Sequence, residues 1–452
     1  MSLEHAAVVE SNGNYPGKGI GQPVGVAVLG KGTVGTEVLR LIAEFSSNLE
    51  HRIGGPIEVR GVAVSNVDKH KNAPEVQGLY LTDNAHELVE RDDVDVVVEV
   101  IGGIDYPREL VLKALRAGKS VVTANKALVA AHGSELADAA NEAGVDLYYE
   151  AAVAAAIPVV GMLRRSLAGD KVERIAGIVN GTTNFILDAM ASTGASYEDA
   201  LAEATRLGYA EADPTADVEG HDAASKAAIL ASMGFHTRVT FDDVYCEGIT
   251  NITAEDIAAA KRANQTIKLL AICERLYDEN GETRAVNARV HPTLVPNDHP
   301  LATVDKSYNA IFVEAEAAGR LMFYGNGAGG APTASAVLGD LVGAARNKIH
   351  GGRAPAENLY ADYPVVGFEE VTTRYHINMT VNDRVGVLAD LARQFANSNV
   401  SLSAVRQEEA GDGAHLVVVT HQATERDLQN IVHRLSDHED VRSVNSVLRL
   451  QD

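Results

Sequence analysis

The sequence predicts an α/β chain in three parts: a parallel sheet with helices on both faces, a mixed α+β domain, and a small module with its own periodicity. Three observations predict this. Short apolar runs alternate with helical periods over residues 24–130. Longer amphipathic segments with a few strands follow from Pro158. Residues 372–452 then run β-α-β-β-α-β.

In the first part, 24–29, 57–64, 94–100 and 120–123 read as strands, with helices over 34–45, 85–90 and 107–117 between them. Runs that are apolar throughout mark strands buried on both faces, as a parallel sheet requires. In the second part, 200–207, 222–233 and 256–273 read as helices, and 286–291 and 310–316 as strands. A glycine-rich stretch at 325–333 precedes a helix over 334–346. Residues 350–364 have the glycine and proline content of a linker. In the third part, 372–381, 400–405, 415–421 and 444–450 are strands. Val385, Leu388, Leu391 and Phe395 mark one helix face, and 425–435 a second helix, which is the ferredoxin-like order. The expected domains are a disordered tail (1–22), a nucleotide domain (23–157), a second domain (158–349, with 325–346 returning to the nucleotide), a linker (350–371) and the C-terminal module (372–452).

Composition narrows the function. With Lys+Arg at 39 against Asp+Glu at 62, the net charge is −23. Nucleic acid or an anionic membrane would need a basic surface, so neither is an expected partner. Cys246 and Cys273 lack metal-pair spacing and read as reduced thiols. The longest apolar stretch, 151–163, is too short for a bilayer and is broken by Pro158, and the N-terminus does not read as a secretory leader. A cytoplasmic enzyme is expected.

Gly30-Lys31-Gly32-Thr33-Val34-Gly35 spells GxGxxG after an apolar strand and at the start of a periodic helix. The first glycine permits the tight turn, the second lets backbone approach a pyrophosphate, and the third allows helix–strand packing. This is a Rossmann-type dinucleotide site. An NAD-preferring site needs an acid at the tip of the second strand. Here the strand runs into Ser65 and Asn66, and Asp68 comes later beside Lys69, His70 and Lys71. That favours NADP, with NAD tolerated.

Residues 204–226 hold five acids, Glu211, Asp213, Asp217, Glu219 and Asp222, and close on Lys226. Asp222 and Lys226 are spaced i, i+4 and share a helix face. Alanines flank them, so the lysine is expected to be partly buried. A lysine beside carboxylates suits proton transfer or substrate anchoring. An ordinary salt bridge on a solvated helix is the plainer alternative.

This segment resembles the homoserine dehydrogenase signature, with Ala204, Gly208, Tyr209, Ala210, Asp213, Pro214, Asp217, Val218, Gly220, Asp222 and Lys226 in register. The stretches 30–35, 123–126, 180–187 and 325–334 also look like that family, and the tail is similar to an ACT domain. The resemblance implies an α+β catalytic and dimerisation domain. It implies reversible reduction of L-aspartate 4-semialdehyde to L-homoserine with NAD(P)H, in threonine, methionine and isoleucine biosynthesis. Catalysis would fall to Lys226, Asp222 and Lys126, with the choice of proton-transferring lysine left open. Glu211, Asp217, Tyr209, Thr182 and Lys126 would bind substrate. Gly30–Gly35, Ser65, Lys126 and Gly330 would bind the cofactor. Glu150, Val153, Ala155 and Ile157 resemble the family's sodium loop, although Ala154 and Ala156 stand where homologues often carry glycine; a loop without an ion reads equally well. The resemblance also implies a homodimer or homotetramer. L-threonine would act at Asn382, Asp383 and Gly386, or compete at the substrate site. A nucleotide-sensing regulatory protein is the rival from another class. It predicts a broken catalytic set, whereas Lys126, Asp222 and Lys226 are all present.

Overall fold

A computed structural model describes residues 17–355, 361–410 and 413–451, with the side chains of 408–410 left aside. Much of the expected tail (1–16) and part of the expected linker (356–360) lie outside the described residues. The chain divides into two compact units, Met1–Ala152 with Gly329–Glu357, and Val153–Ala328 with Asn358–Asp452.

The first unit is built on β1 (Val24–Leu29), β2 (Ile57–Ala63), β3 (Leu81–Thr82), β4 (Val96–Glu99), β5 (Ser120–Thr123) and β6 (Leu147–Tyr148). They form one parallel sheet in the order β3-β2-β1-β4-β5-β6. After β3 the chain crosses to the far side of β1, so the carboxyl ends of β1 and β4 flank the point where strand order reverses. In open α/β sheets that crevice takes the ligand. The helix Thr33–Glu44 buries Val38, Leu39, Leu41 and Ile42 in the same core as Val337, Leu338 and Leu341 of the helix Gly330–His350. That late helix therefore belongs to the nucleotide unit. Residues 17–22, expected within a disordered tail, are instead tied down. Lys18 N and Gly19 N donate to Lys348 O and Ile349 O, and Gly21 N donates to Gly54 O.

The second unit carries β7 (Val172–Ile178), β8 (Tyr245–Cys246), β9 (Gln265–Tyr277), β10 (Thr283–Pro296), β11 (Tyr308–Ala315), β12 (Gly319–Asn326), β13 (Thr372–Thr373), β14 (Tyr375–Asn382), β15 (Leu402–Ala410), β16 (Gly413–Thr420), β17 (Ala423–Thr424) and β18 (Val441–Leu450). One correction concerns the helix expected over 256–273. It stops at Arg262, Asn264 takes a left-handed φ of 57°, and the chain re-enters as β9. Residues 267–273 are buried on both faces of the sheet, so no alternation betrays the strand.

The module at 372–452 has its own core, with Ile377, Met379, Leu416 and Val418 of the sheet packed on Leu391, Phe395, Leu428 and Ile431 of two helices. Its sheet, however, is continuous with that of the rest of the unit, in the order β12-β11-β7-β9-β10-β18-β14-β16-β15. The end of β18 pairs in parallel with β10, Thr293 opposite Arg449 and Leu294 opposite Leu450. Arg449 fastens the joint. Its guanidinium bonds Glu247 beyond β8 and lies 3.3 Å from Glu425, a fully buried carboxylate that also accepts from Tyr375 Oη at 2.6 Å. Three rings, Tyr245, Phe368 and Tyr375, surround it at 4.9–5.6 Å. Among the described residues, no helix is long and apolar enough to cross a membrane.

Removing a buried cation leaves its carboxylate partner uncompensated, which costs about 3–5 kcal/mol. Arg449→Ala should lower unfolding stability by about that much, and Arg449→Leu combined with Glu425→Gln should recover part of the loss. Urea unfolding monitored by circular dichroism reads both. An unchanged midpoint for Arg449→Ala would show that the cluster does not hold the joint.

Candidate active site

The nucleotide cradle is made by three glycines. Gly30 follows β1 with φ +105°, and a Cβ there would lie 2.7 Å from Val100 O. A Cβ on Gly35 would strike Gly30 O at 2.1 Å, so only glycine lets helix and turn meet. Gly32 faces open space and begins the helix Thr33–Glu44 without a side-chain cap. The orphan N–H groups of that helix start suit a phosphate. Gly330 opens its own helix, where a Cβ would crowd Thr33 Cγ2 at 3.0 Å. Thr33 is exposed and Val34 half-buried. These residues fit a dinucleotide.

The tip of β2 is cationic. Ser65 is exposed, and Asn66 caps the short helix Val67–His70 by accepting from Lys69 N at 3.0 Å. Lys71 pairs with Asp68 at 2.8 Å, and Lys31 with Glu75 at 3.2 Å. Desolvation, then the charges of Lys31 and Lys69, hold the His70 imidazole below its ordinary value.

Lys126 begins the helix Lys126–Ala143 at the carboxyl edge of β5 and is exposed. Asn125 caps that helix, accepting from Leu128 N, and donates to Gly103 O at 2.8 Å. Next to it lies a residue that the sequence reading missed. Glu99, at the end of β4 and fully buried, accepts from Thr123 Oγ1 at 2.5 Å and from Ile101 N at 2.8 Å. Burial raises its carboxyl above the usual range. The signal was an acid closing an otherwise apolar strand.

The signature residues meet in the second unit. β7 ends at Ile178, which leaves the Val179 carbonyl outside the ladder. Lys226 Nζ donates to that carbonyl at 2.6 Å and to Asp222 Oδ2 at 2.7 Å. Both side chains are buried, in a helix (His221–Phe235) whose neighbouring positions are alanine. Asn180, also missed, joins the acids. Its Nδ2 donates to Asp217 Oδ1 at 2.7 Å and Asp222 Oδ2 at 2.8 Å, while its Oδ1 accepts from Thr183 N at 2.9 Å and caps the helix Gly181–Thr193. The sequence Asn-Gly-Thr-Thr contains that cap, a signal not used.

Around this centre, Thr182 Oγ1 donates to Tyr209 O at 2.8 Å, and the Tyr209 ring lies 4.8 Å from Phe185. Glu211 is exposed in the loop that follows. Asp213 turns away to bind Thr215 N and Oγ1. Gly220 starts the helix with φ +85°, a Cβ there meeting Cys246 Sγ at 2.9 Å. The structure thus ties Asp217, Asp222 and Lys226 into one network, with Thr182 and Tyr209 joined beside it.

Of the expected cation loop, Glu150 belongs to the first unit, which runs to Ala152, and its N–H donates to Asp340 Oδ2 at 2.8 Å. Val153, Ala155 and Ile157 begin the second unit. Ala154 and Ala155 adopt left-handed φ of 53° and 42°, at about 1 kcal/mol each. Strain therefore falls on 154 and 155. In the C-terminal module, Asn382 accepts from Arg442 Nε at 2.8 Å, Asp383 is exposed, and Gly386 (φ +99°) opens the helix Val387–Asn397 with nothing near its Cβ position.

Asn180→Asp keeps the helix cap but replaces the shared donor with a third carboxylate. It should lower kcat/KM about 100-fold, equivalent to about 2.7 kcal/mol and close to one hydrogen bond to a charged group. Initial rates alongside thermal melts check this; near-normal rates would show that Asn180 does not arrange the acids.

A family model described as homoserine dehydrogenase matches residues 158–342, one described as homoserine dehydrogenase, NAD binding domain, matches 30–150, and an ACT domain model matches 375–440. The chain is 69% identical to a homoserine dehydrogenase of Corynebacterium glutamicum over 96% of its own length and 97% of that protein's. Among solved structures it resembles a homoserine dehydrogenase from Thiobacillus denitrificans at TM-score 0.89 and 40% identity, covering 96% of this chain and 99% of that one. It also resembles a hyperthermophilic archaeal homoserine dehydrogenase solved with NADPH, at TM-score 0.59 and 29% identity, over 72% and 98% of the two chains.

Proposed function

The chain belongs to the homoserine dehydrogenase family and is an NAD(P)-dependent oxidoreductase acting on a CH–OH group, and from that premise we propose how its residues divide the work. The reaction interconverts L-homoserine and L-aspartate 4-semialdehyde. The nicotinamide, when bound, gives or takes the hydride at the substrate carbon. In reduction the oxygen of that carbon gathers negative charge and needs a proton. Lys226 supplies it. Asp222 keeps the lysine as an ammonium, and the Val179 carbonyl fixes its direction. In oxidation the same amine receives the hydroxyl proton. Glu211 and Asp217 take the substrate ammonium. Thr182 and Tyr209, already joined, border its carboxylate. Lys126, at the edge of β5, is the second candidate for the proton and a contact to both cofactor and substrate.

The observation that carries this reading is a buried ammonium held by one carboxylate within a network of further acids. Lys226→Ala should lower kcat by about 10²–10⁴, the range for a lost acid–base group, with a smaller change in KM. If instead Lys126→Ala abolishes turnover and Lys226→Ala retains it, the assignment passes to Lys126.

NADP is the preferred nicotinamide in this proposal. The β2 tip lacks an acid and carries Lys69 and Lys71, which suits a 2′-phosphate. Ser65→Asp should lower kcat/KM for NADPH and raise the NADH-to-NADPH ratio about 10-fold or more, equivalent to about 1.4 kcal/mol. A native preference for NADH would refute it.

Four further assignments belong to the same proposal. Glu150 with the carbonyls of Val153, Ala155 and Ile157 holds sodium, a hard cation suited to oxygen ligands. The chain assembles as a homodimer or homotetramer and works in the cytoplasm. L-threonine inhibits by binding at Asn382, Asp383 and Gly386, where an uncapped helix start receives a carboxylate.

A further inference from the structure

The C-terminal sheet has two faces. One is covered by its own helices. The other carries His376 and Asn378 on β14, Val417 and Val419 on β16, and Arg406 on β15. The register places His376 beside Val419, and Asn378 and Arg406 beside Val417. The helix Ala254–Arg262, which precedes β9, lies against this face and leaves a cavity of about 320 Å³. That volume lies within the range of small-molecule sites.

The lining has a definite chemistry. In a chain of net charge −23, two of its groups are guanidiniums, Arg262 and Arg406, and one is a carboxylate, Glu255. Arg262 is exposed and pairs with no carboxylate among the described residues. Val417, Val419 and Ala259 make an apolar wall. His376 and Asn378 are 7% and 4% exposed, and His376 Nδ1 has no hydrogen-bond partner among the described residues. Buried polar atoms are seldom left so.

We propose that this cavity is a binding site for a small aliphatic carboxylate. The carboxylate would lie against the guanidiniums of Arg262 and Arg406, since a guanidinium fork matches its two oxygens. The aliphatic body would cover Val417 and Val419, and the polar floor would take a further hydrogen bond. One wall belongs to the C-terminal module and the other to the helix leading into β9, so an occupant cross-links the two. The site is separate from the turn at Asn382–Gly386.

Calorimetric titration of the full chain tests this with three probes that share a branched aliphatic body: L-valine, isovalerate and isoamyl alcohol. At least one carboxylate should bind, and the alcohol at least 10-fold more weakly. Arg262→Ala, at an exposed position that leaves the fold intact, should weaken carboxylate binding at least 10-fold. Val417→Trp, which fills the cavity, should abolish it, and thermal melts accompany both variants. Gly386→Leu should leave it unchanged. Binding of L-threonine that is lost in Gly386→Leu and kept in Arg262→Ala would separate the effector proposal from this one. No binding of either carboxylate, binding unchanged in Arg262→Ala, or loss only in Gly386→Leu would overturn the proposal.

Discussion

A lysine ammonium buried inside an alanine-flanked helix is the constraint around which the catalytic unit is arranged. A buried charge survives only when paired and hydrogen-bonded. Lys226 meets that condition through Asp222 one turn earlier and the Val179 carbonyl, which β7 leaves unused where it ends. Asp222 in turn shares Asn180 with Asp217. Each partner is an end of something: a strand end, a helix cap, a helix first turn. The small residues at 223, 224, 227 and 228 let that helix pack against the sheet closely enough to bring them together. Gly248 allows the signature loop to sit against the strand edge, since a Cβ there would lie 2.2 Å from Val218 O.

Much of this was legible in the sequence because it is local. The GxGxxG turn, the parallel strands and the i, i+4 pair all follow from spacing within one element. Asn180 was missed because its importance lies in two acids about forty positions away. Glu99 was missed because its partners sit on β5 and the turn after β4. The false helix over 263–273 has a different cause. A central strand buried on both faces shows neither alternation nor turn residues, and only the left-handed Asn264 marks the break.

Electrostatics separates the two units. The chain is strongly acidic, yet Lys69, His70 and Lys71 cluster just after β2, and Lys31 of the glycine turn after β1 acts on His70. Glu75 and Asp68 neutralise two of them in the free protein. A local cationic patch in a negative field draws a phosphate only at short range, so the cradle depends on backbone N–H groups as much as on side chains. The network around Lys226 shows the reverse arrangement, with Asp222 and, through Asn180, Asp217 gathered about a single ammonium.

The C-terminal module could have been an appendage on a linker. It is instead the continuation of the catalytic sheet, since β18 pairs with β14 on one side and β10 on the other. Arg449 reaches Glu247 from there. Glu247 N donates to Val290 O, and Ile249 N donates to Val218 O beside Asp217. A run of backbone and ionic bonds thus leads from the module to the residue beside Asp217. A ligand of the module shifts the site only by binding one arrangement of this sheet better than another. The element such a ligand would have to bias is the β10–β18 ladder, which joins the module to the rest of the sheet. Deleting 365–452 would therefore remove a structural strand along with a sensor, and loss of activity in such a truncation would say nothing about regulation.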